Sequence, residues 1–284
     1  MKSWIKELAA KQFGRGTYSQ SYQDELLDLI FGNIGTVNST PFCVEFGFNS
    51  SSLTGGSGVN VASLILKDNW KSLLLDGDNE CPEINLHKHY LSSSNISDIF
   101  RQYDVPKQPE YVSIDVDSTD LWLFEALLKE YRAMVFSVEY NAHYPLDAAI
   151  TFPNDLNERW EGDRGYGASL KALTIVAKKY GYSLLWVVPC LDAFFVRNDL
   201  IEDGSGQICF PFSKWRHSTG VVSHVPLKNP DRAEIFLDYE VYESTNGDIS
   251  KAKARAYPIC KKFLLGNFFA DRLLWKAKRI IQSH

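Results

Sequence analysis

Two carboxylates one residue apart, Asp115 and Asp117, close the run of β-branched and aromatic residues that opens YVSIDVDSTDLW (111 to 122). Ionisable groups at the end of a buried strand are costly to desolvate unless a counter-charge, a cation or open water meets them. Three further strand-like segments end the same way. PFCVEFGF (41 to 48) closes on Glu45 and Gly47, KSLLLDGD (71 to 78) on Asp76, Gly77 and Asp78, and AMVFSVEYN (133 to 141) on Glu139 and Asn141. A helix cap or a solvated turn explains one such acid about as readily as a site does. Four in succession form a pattern, because ligands of open α/β sheets sit beyond the carboxyl ends of the strands.

Glycine after the first strand lets the backbone approach a ligand, and an acid ending the second can accept both hydroxyl protons of a ribose. The dinucleotide fingerprint GxGxxG is missing from EFGFNSS, and Glu45 would repel a pyrophosphate, which disfavours a nicotinamide oxidoreductase. An acid at that position suits a nucleoside cofactor that presents an ammonium group, as S-adenosylmethionine does.

The elements that must position these residues alternate along the chain. Helical spacing is predicted over 19 to 31 with Gly32 as its stop, 59 to 68, 95 to 103, 119 to 131 capped by Thr119, and 167 to 181. A weaker strand is expected over 84 to 91, and YSLLWVV and AFFVR read as an antiparallel hairpin within 182 to 197. Alternating strands and helices imply a mostly parallel sheet covered on both faces, made mixed by the closing hairpin. Residues 1 to 40 read as an N-terminal helical segment and 41 to 200 as the α/β domain. Residues 201 to 284 read as an elaboration packed on that domain, with a strand over 234 to 242 and an amphipathic helix over 266 to 281.

Lys and Arg number 30 against 35 Asp and Glu, so bulk electrostatics give no reason to expect a nucleic-acid partner or an anionic membrane surface. Cys43, Cys81, Cys190, Cys209 and Cys260 form no CxxC pair, which signals neither a disulfide framework nor a zinc site and points to a reducing, cytoplasmic setting. No run reaches the roughly 18 apolar residues of a membrane span, and no leader is evident.

In the order TYSQSYQDELLDLIFG, FCVEFGFNS, NVASLILKDNWKSLLLDGD, YVSIDVDSTDLWLF and VFSVEYNAHYP, residues 17 to 200 resemble the FkbM-like S-adenosylmethionine-dependent methyltransferases. The resemblance implies a Rossmann-like class I methyltransferase fold with a seven-stranded sheet, and methylation of a hydroxyl on a sugar, glycan or small natural product. It implies cofactor contacts from Gln20, Glu45, Gly47, Phe48, Asn49, Asp76, Gly77 and Asp115. Tyr18 and Ser19 match the same segment as Gln20, although Ser19 serves equally well as a helix cap. Where many methyltransferases continue the first turn with glycines, Phe48, Asn49, Ser50 and Ser51 stand here. That departure motivates the alternative of a catalytically silent binding or scaffold protein of the same fold.

SIDVDS and SVEYN are also similar to the paired strand ends that hold a divalent cation in catechol-type O-methyltransferases. On that resemblance Asp115, Glu139 and Asn141 supply oxygen ligands for Mg²⁺ or another divalent cation, with Asp117 either joining them or capping the next helix. The plainer reading pairs Glu139 with Arg159 or Arg164. Asp115 and His143 are the candidate catalytic residues, His143 as a general base near neutral pH, although a surface histidine is as common. Trp160, Tyr166, Trp215 and Tyr257 stand in loops where a ring can stack on an acceptor, and core packing is the commoner use of such residues. The oligomeric state is open, self-association included.

Overall fold

Strands form where the apolar runs predicted them, and their hydrogen bonding builds one large sheet. In the computed structural model, which describes residues 3–55, 59–201 and 225–266, the strands are β1 (Phe42–Phe46), β2 (Lys71–Asp76), β3 (Leu86–Lys88), β4 (Tyr111–Ile114), β5 (Val135–Glu139), β7 (Tyr182–Val187) and β8 (Asp192–Arg197). Their order is β3-β2-β1-β4-β5-β8-β7, parallel except for β8, which runs antiparallel to both β5 and β7. The order reverses direction between β1 and β4, opening a crevice at the carboxyl ends. This is the Rossmann-like fold of class I methyltransferases.

Alternation along each strand feeds two cores. On one face Leu73, Leu75, Val112, Ile114, Phe136 and Val138 meet α4 (Ile96–Gln102), α5 (Asp120–Glu130) and α6 (Leu170–Lys179). On the other, Cys43, Leu74, Tyr111, Val135, Phe194 and Val196 meet α1 (Ser3–Ala10), α2 (Gln23–Ile34) and α3 (Ala62–Asp68). A third core joins Tyr144, Ile150 and Phe152 of the 142 to 165 connection to Phe236, Ala256 and Cys260. There β6 (Ile150–Thr151) pairs with β9 (Leu237–Asp238), followed by α8 (Tyr239–Ser244) and α9 (Ile249–Leu264).

Three element boundaries differ from expectation. The second helix starts at Gln23 rather than 19 and continues through Gly32 to Ile34, where Gly35 at φ 71° ends it. Its upstream residues are instead gathered by Asp24, whose carboxylate accepts the N–H groups of Thr17, Tyr18 and Ser19. The strand expected over 234 to 242 is cut to two residues because the Asp238 carboxylate accepts the N–H of Val241 and starts α8. The strand expected over 84 to 91 is only β3, three residues long. The helix expected over 266 to 281, together with Cys209, Trp215, His217, His224 and His284, lies outside the described residues. Among the described residues no helix is long and apolar enough to cross a membrane.

Candidate functional site

Register gathers the acids on one face of the sheet. Glu45 pairs with Ser113 and Ser113 with Ser137, so these side chains form a row across β1, β4 and β5. Two residues further along each strand, on the same face, stand Gly47, Asp115 and Glu139, and Glu139 pairs with Asp192 at the start of antiparallel β8. Beneath this rim runs a hydrogen-bonded line. The Tyr111 hydroxyl and Ser137 Oγ are 2.6 Å apart, Ser137 Oγ donates to Ser113 Oγ at 3.0 Å, and Asn60 Nδ2 donates to Ser113 Oγ at 3.0 Å. Above it opens a cavity of about 650 Å³.

The first turn is built for close approach. Gly47 has φ 76°, and a Cβ placed there would stand 2.0 Å from the Asp115 carbonyl oxygen, so only glycine lets the two strand ends meet. Glu45 faces the cavity, and its two oxygens accept the backbone N–H of Asn60 at 3.0 Å and of Val61 at 3.1 Å. Burial outweighs those bonds and pushes its pKa up to about 7. Gln20, Asn49, Asp76, Gly77 and Asp115 all line the cavity. Phe48 does not; it is 3% exposed and packs in the α1–α3 core, so the side chain following Gly47 supports the turn from below. Asp76 Oδ1 accepts the N–H groups of Asp78 and Asn79, both at 2.7 Å, which closes the turn, while Oδ2 has no partner among the described residues.

Ligand oxygens of Asp115, Asp117 and Glu139 lie within 4.8 Å of one another. Burial, then the Asp117 charge, drives the Asp115 carboxyl well above the usual range, and burial followed by Asp115 does the same to Glu139. Asp117, held at φ 56° in the left-handed region, is pushed up to about 6 by burial. Glu139 Oε2 is buried without a hydrogen-bond partner among the described residues. Neither arginine considered as its partner is paired with it: the Arg159 guanidinium sits 4.7 Å from the Tyr90 ring centre, and Arg164 donates to the carbonyls of Phe263 and Gly266. The Thr119 hydroxyl does not cap helix α5; Asp120, its first residue, accepts the N–H groups of Val116 and Ser118 and so clips the incoming loop onto the helix, leaving Asp117 to the acid cluster.

Two expected site residues stand elsewhere. Asn141 is fully buried and does not line the cavity; its Nδ2 donates to the carbonyls of Arg164 and Tyr166, and its Oδ1 accepts the N–H of His143. Its amide thus clasps a loop, and Asp117 takes the place expected for it among the acids. His143 also lies off the cavity, with its ring centre 6.3 Å from that of Tyr166. Conversely, Gln23 and Asp192 line the cavity and were not singled out in the sequence. One signal for Asp192 is present: an antiparallel strand begins at the rim where its parallel neighbours end, so the acid opening DAFFVR belongs with those closing SID and SVE.

No family model matches the chain, so the FkbM-like likeness stays a resemblance. No curated protein matches it either. Among solved structures, it is similar to the MycE methyltransferase of the mycinamycin biosynthetic pathway in complex with Mg, SAH and mycinamycin VI. The TM-score is 0.41 and the identity 16%, over 74% of this chain and 58% of that one. A second crystal form of that methyltransferase, with Mg and SAH, gives a TM-score of 0.39 and 15% identity over 70% of this chain and 55% of that one. The chain spans less than two thirds of either neighbour's length, and a likeness this distant assigns no activity.

Proposed function

We propose that the protein is an S-adenosylmethionine-dependent O-methyltransferase acting on a hydroxyl of a sugar, glycan or small natural product, in a reducing, cytoplasmic setting. One observation carries this reading: the rim cavity is lined by Glu45, Asp76, Asp115, Asp117, Glu139 and Asp192 against a single lining arginine, Arg159, whose guanidinium packs 4.7 Å from the Tyr90 ring centre. A ligand bearing sulfonium and ammonium charges would draw these burial-raised acids into their charged form, and a pyrophosphate would oppose that ionisation. The free oxygen of Asp76 and the bare backbone of Gly47 offer ribose and close-approach contacts at the crevice. Bound there, S-adenosylmethionine supplies an electrophilic methyl group.

A divalent cation fits the acid cluster. Oxygens opposed across Mg²⁺ or Ca²⁺ stand about 4 to 5 Å apart, and the donor set here is three hard carboxylates within 4.8 Å, one with an orphaned oxygen. Asp115, Asp117 and Glu139 would hold the ion, which supplies Lewis acidity toward an acceptor hydroxyl. Those residues also confine the acceptor to the β4–β5 side of the cavity, so positioning contributes much of the acceleration.

Incubation with methyl-labelled cofactor and a panel of saccharide, polyol and phenol acceptors tests the reading. Base-stable label in an acceptor ether supports it. Cofactor binding with no transfer to any acceptor favours the silent scaffold, and full turnover in the presence of chelator, retained in Asp115→Asn, removes the cation.

A further inference from the structure

Of the acids around the cavity, Asp192 has the most defined unfilled geometry. It is 4% exposed, yet it lines the cavity. Its Oδ2 accepts Gln23 Nε2 at 3.0 Å and Asn60 Nδ2 at 3.4 Å, while Oδ1 has no partner among the described residues. Both donors are themselves buried, Gln23 at 2% and Asn60 at 9% exposed. Gln23 is fixed in turn, because its Oε1 accepts the N–H of Ser21 at 2.9 Å. A pair of neutral donors thus orients the Asp192 carboxyl group through one oxygen only, and among the described residues no lysine or arginine forms an ion pair with it. A buried carboxylate held in this way is completed by a cationic hydrogen-bond donor.

Glu45, the acid that sequence position favours for that task, is differently engaged. Each of its oxygens already accepts a backbone N–H at the start of α3, and these bonds fix the Gly47 turn relative to Asn60. Asp192 instead stands at the β8 end of the rim, with Asp76 on β2 at the other side of the strand-order reversal. A nucleoside held through its ribose by Asp76 directs its amino-acid arm toward β8.

We propose that Asp192, oriented by Gln23 and Asn60, accepts a hydrogen bond from the α-ammonium group of the cofactor, with Glu45 acting as a positioning residue for the first turn. This rests on the methyltransferase reading. It assigns the N-terminal helix α2 a binding role, since Gln23 reaches across 169 residues of sequence to set the carboxylate.

Calorimetric titration compares S-adenosylhomocysteine, its desamino analogue and 5′-methylthioadenosine, which lacks the whole amino-acid arm. Wild type binds the amine-bearing ligand at least about tenfold more tightly than the desamino analogue, the scale of one charge-assisted hydrogen bond. Asp192→Asn brings that ratio close to unity and leaves methylthioadenosine affinity unchanged, which also reports that the variant is folded; Asp192→Ser serves as the second variant. The inference is overturned by equal wild-type affinity for the amine-bearing and desamino ligands, by a ratio that survives in Asp192→Asn, or by a ratio lost in Glu45→Gln alone. Failure of wild type to bind any of the three overturns the methyltransferase reading itself, a distinct outcome.

Discussion

Strand β4 carries a carboxylate at each end, one fully buried and one half-buried, and the two are treated in opposite ways. Glu110, just before its start, is 0% exposed; Oε1 accepts the N–H groups of Val37 at 3.0 Å and Asn38 at 2.8 Å, and Oε2 accepts that of Phe42 at 2.7 Å. The Asn38 side-chain amide adds a further donor. Asp115, just past the other end, faces Asp117 and Glu139, and Glu139 Oε2 has no donor among the described residues. Desolvation costs both groups dearly, but the fold supplies donors to one and withholds them from the other. A saturated carboxylate is structural. A crowded, unsaturated set is completed from outside.

Breaking the saturated end gives the largest loss of stability. Glu110→Ala orphans three backbone N–H groups at about 1 to 3 kcal/mol each, so urea denaturation shows a loss of at least about 3 kcal/mol; a loss under about 1 kcal/mol erases the distinction. Gly47→Ala follows, because its Cβ would meet the Asp115 carbonyl at 2.0 Å with φ at 76°. Strain of that kind costs roughly 1 to 3 kcal/mol, and S-adenosylhomocysteine affinity falls by about tenfold or more for each 1.4 kcal/mol carried into the site. Unchanged affinity would place the ligand elsewhere.

Relieving the unsaturated end has the reverse sign. Glu139→Gln removes an ionisable group that has no counter-ion among the described residues, so thermal melting at pH 8 without metal is unchanged or improved by about 1 kcal/mol, and added Mg²⁺ no longer raises the melting temperature. A marked destabilisation would make Glu139 structural after all.

The smallest effect is on pH dependence. Burial pushes Glu45 and Asp120 up to about 7 and Asp117 up to about 6, above the ordinary values of 4.5, 3.8 and 3.8. For acids with raised folded pKa values the native state holds extra protons, so their contribution to stability is fully present below about pH 4 and is lost as pH rises through 6 and 7. Metal-free protein therefore melts lower at pH 8 than at pH 5.5, and Mg²⁺ narrows the gap at the higher pH. A gap of the opposite sign would mean that unrecognised cations balance the rim.

Much of this was legible in the residues, and the omissions share a cause. Strand ends announce themselves through apolar runs that stop in acid or glycine, which places Glu45, Gly47, Asp76, Asp115 and Glu139 on one rim as soon as a parallel sheet is accepted. Asn141 was misplaced because an amide two residues past a strand turns toward whichever loop offers carbonyls, and the loop at Arg164 and Tyr166 lies more than twenty residues away. Gln23 and Asp192 escaped notice for a related reason: their meeting depends on how α2 crosses the sheet and on β8 running backwards. Asp238 shows that a carboxylate competing for a backbone N–H group decides where a helix begins.

Calorimetric titration of the wild-type protein at pH 7.5 with S-adenosylhomocysteine and, in parallel, with NAD is the most direct trial of an acidic rim built for a nucleoside that carries an amino-acid arm in place of a pyrophosphate. The account predicts saturable S-adenosylhomocysteine binding in the micromolar range and no NAD binding at millimolar concentration. Absence of S-adenosylhomocysteine binding at millimolar concentration, or tighter binding of NAD, would contradict it.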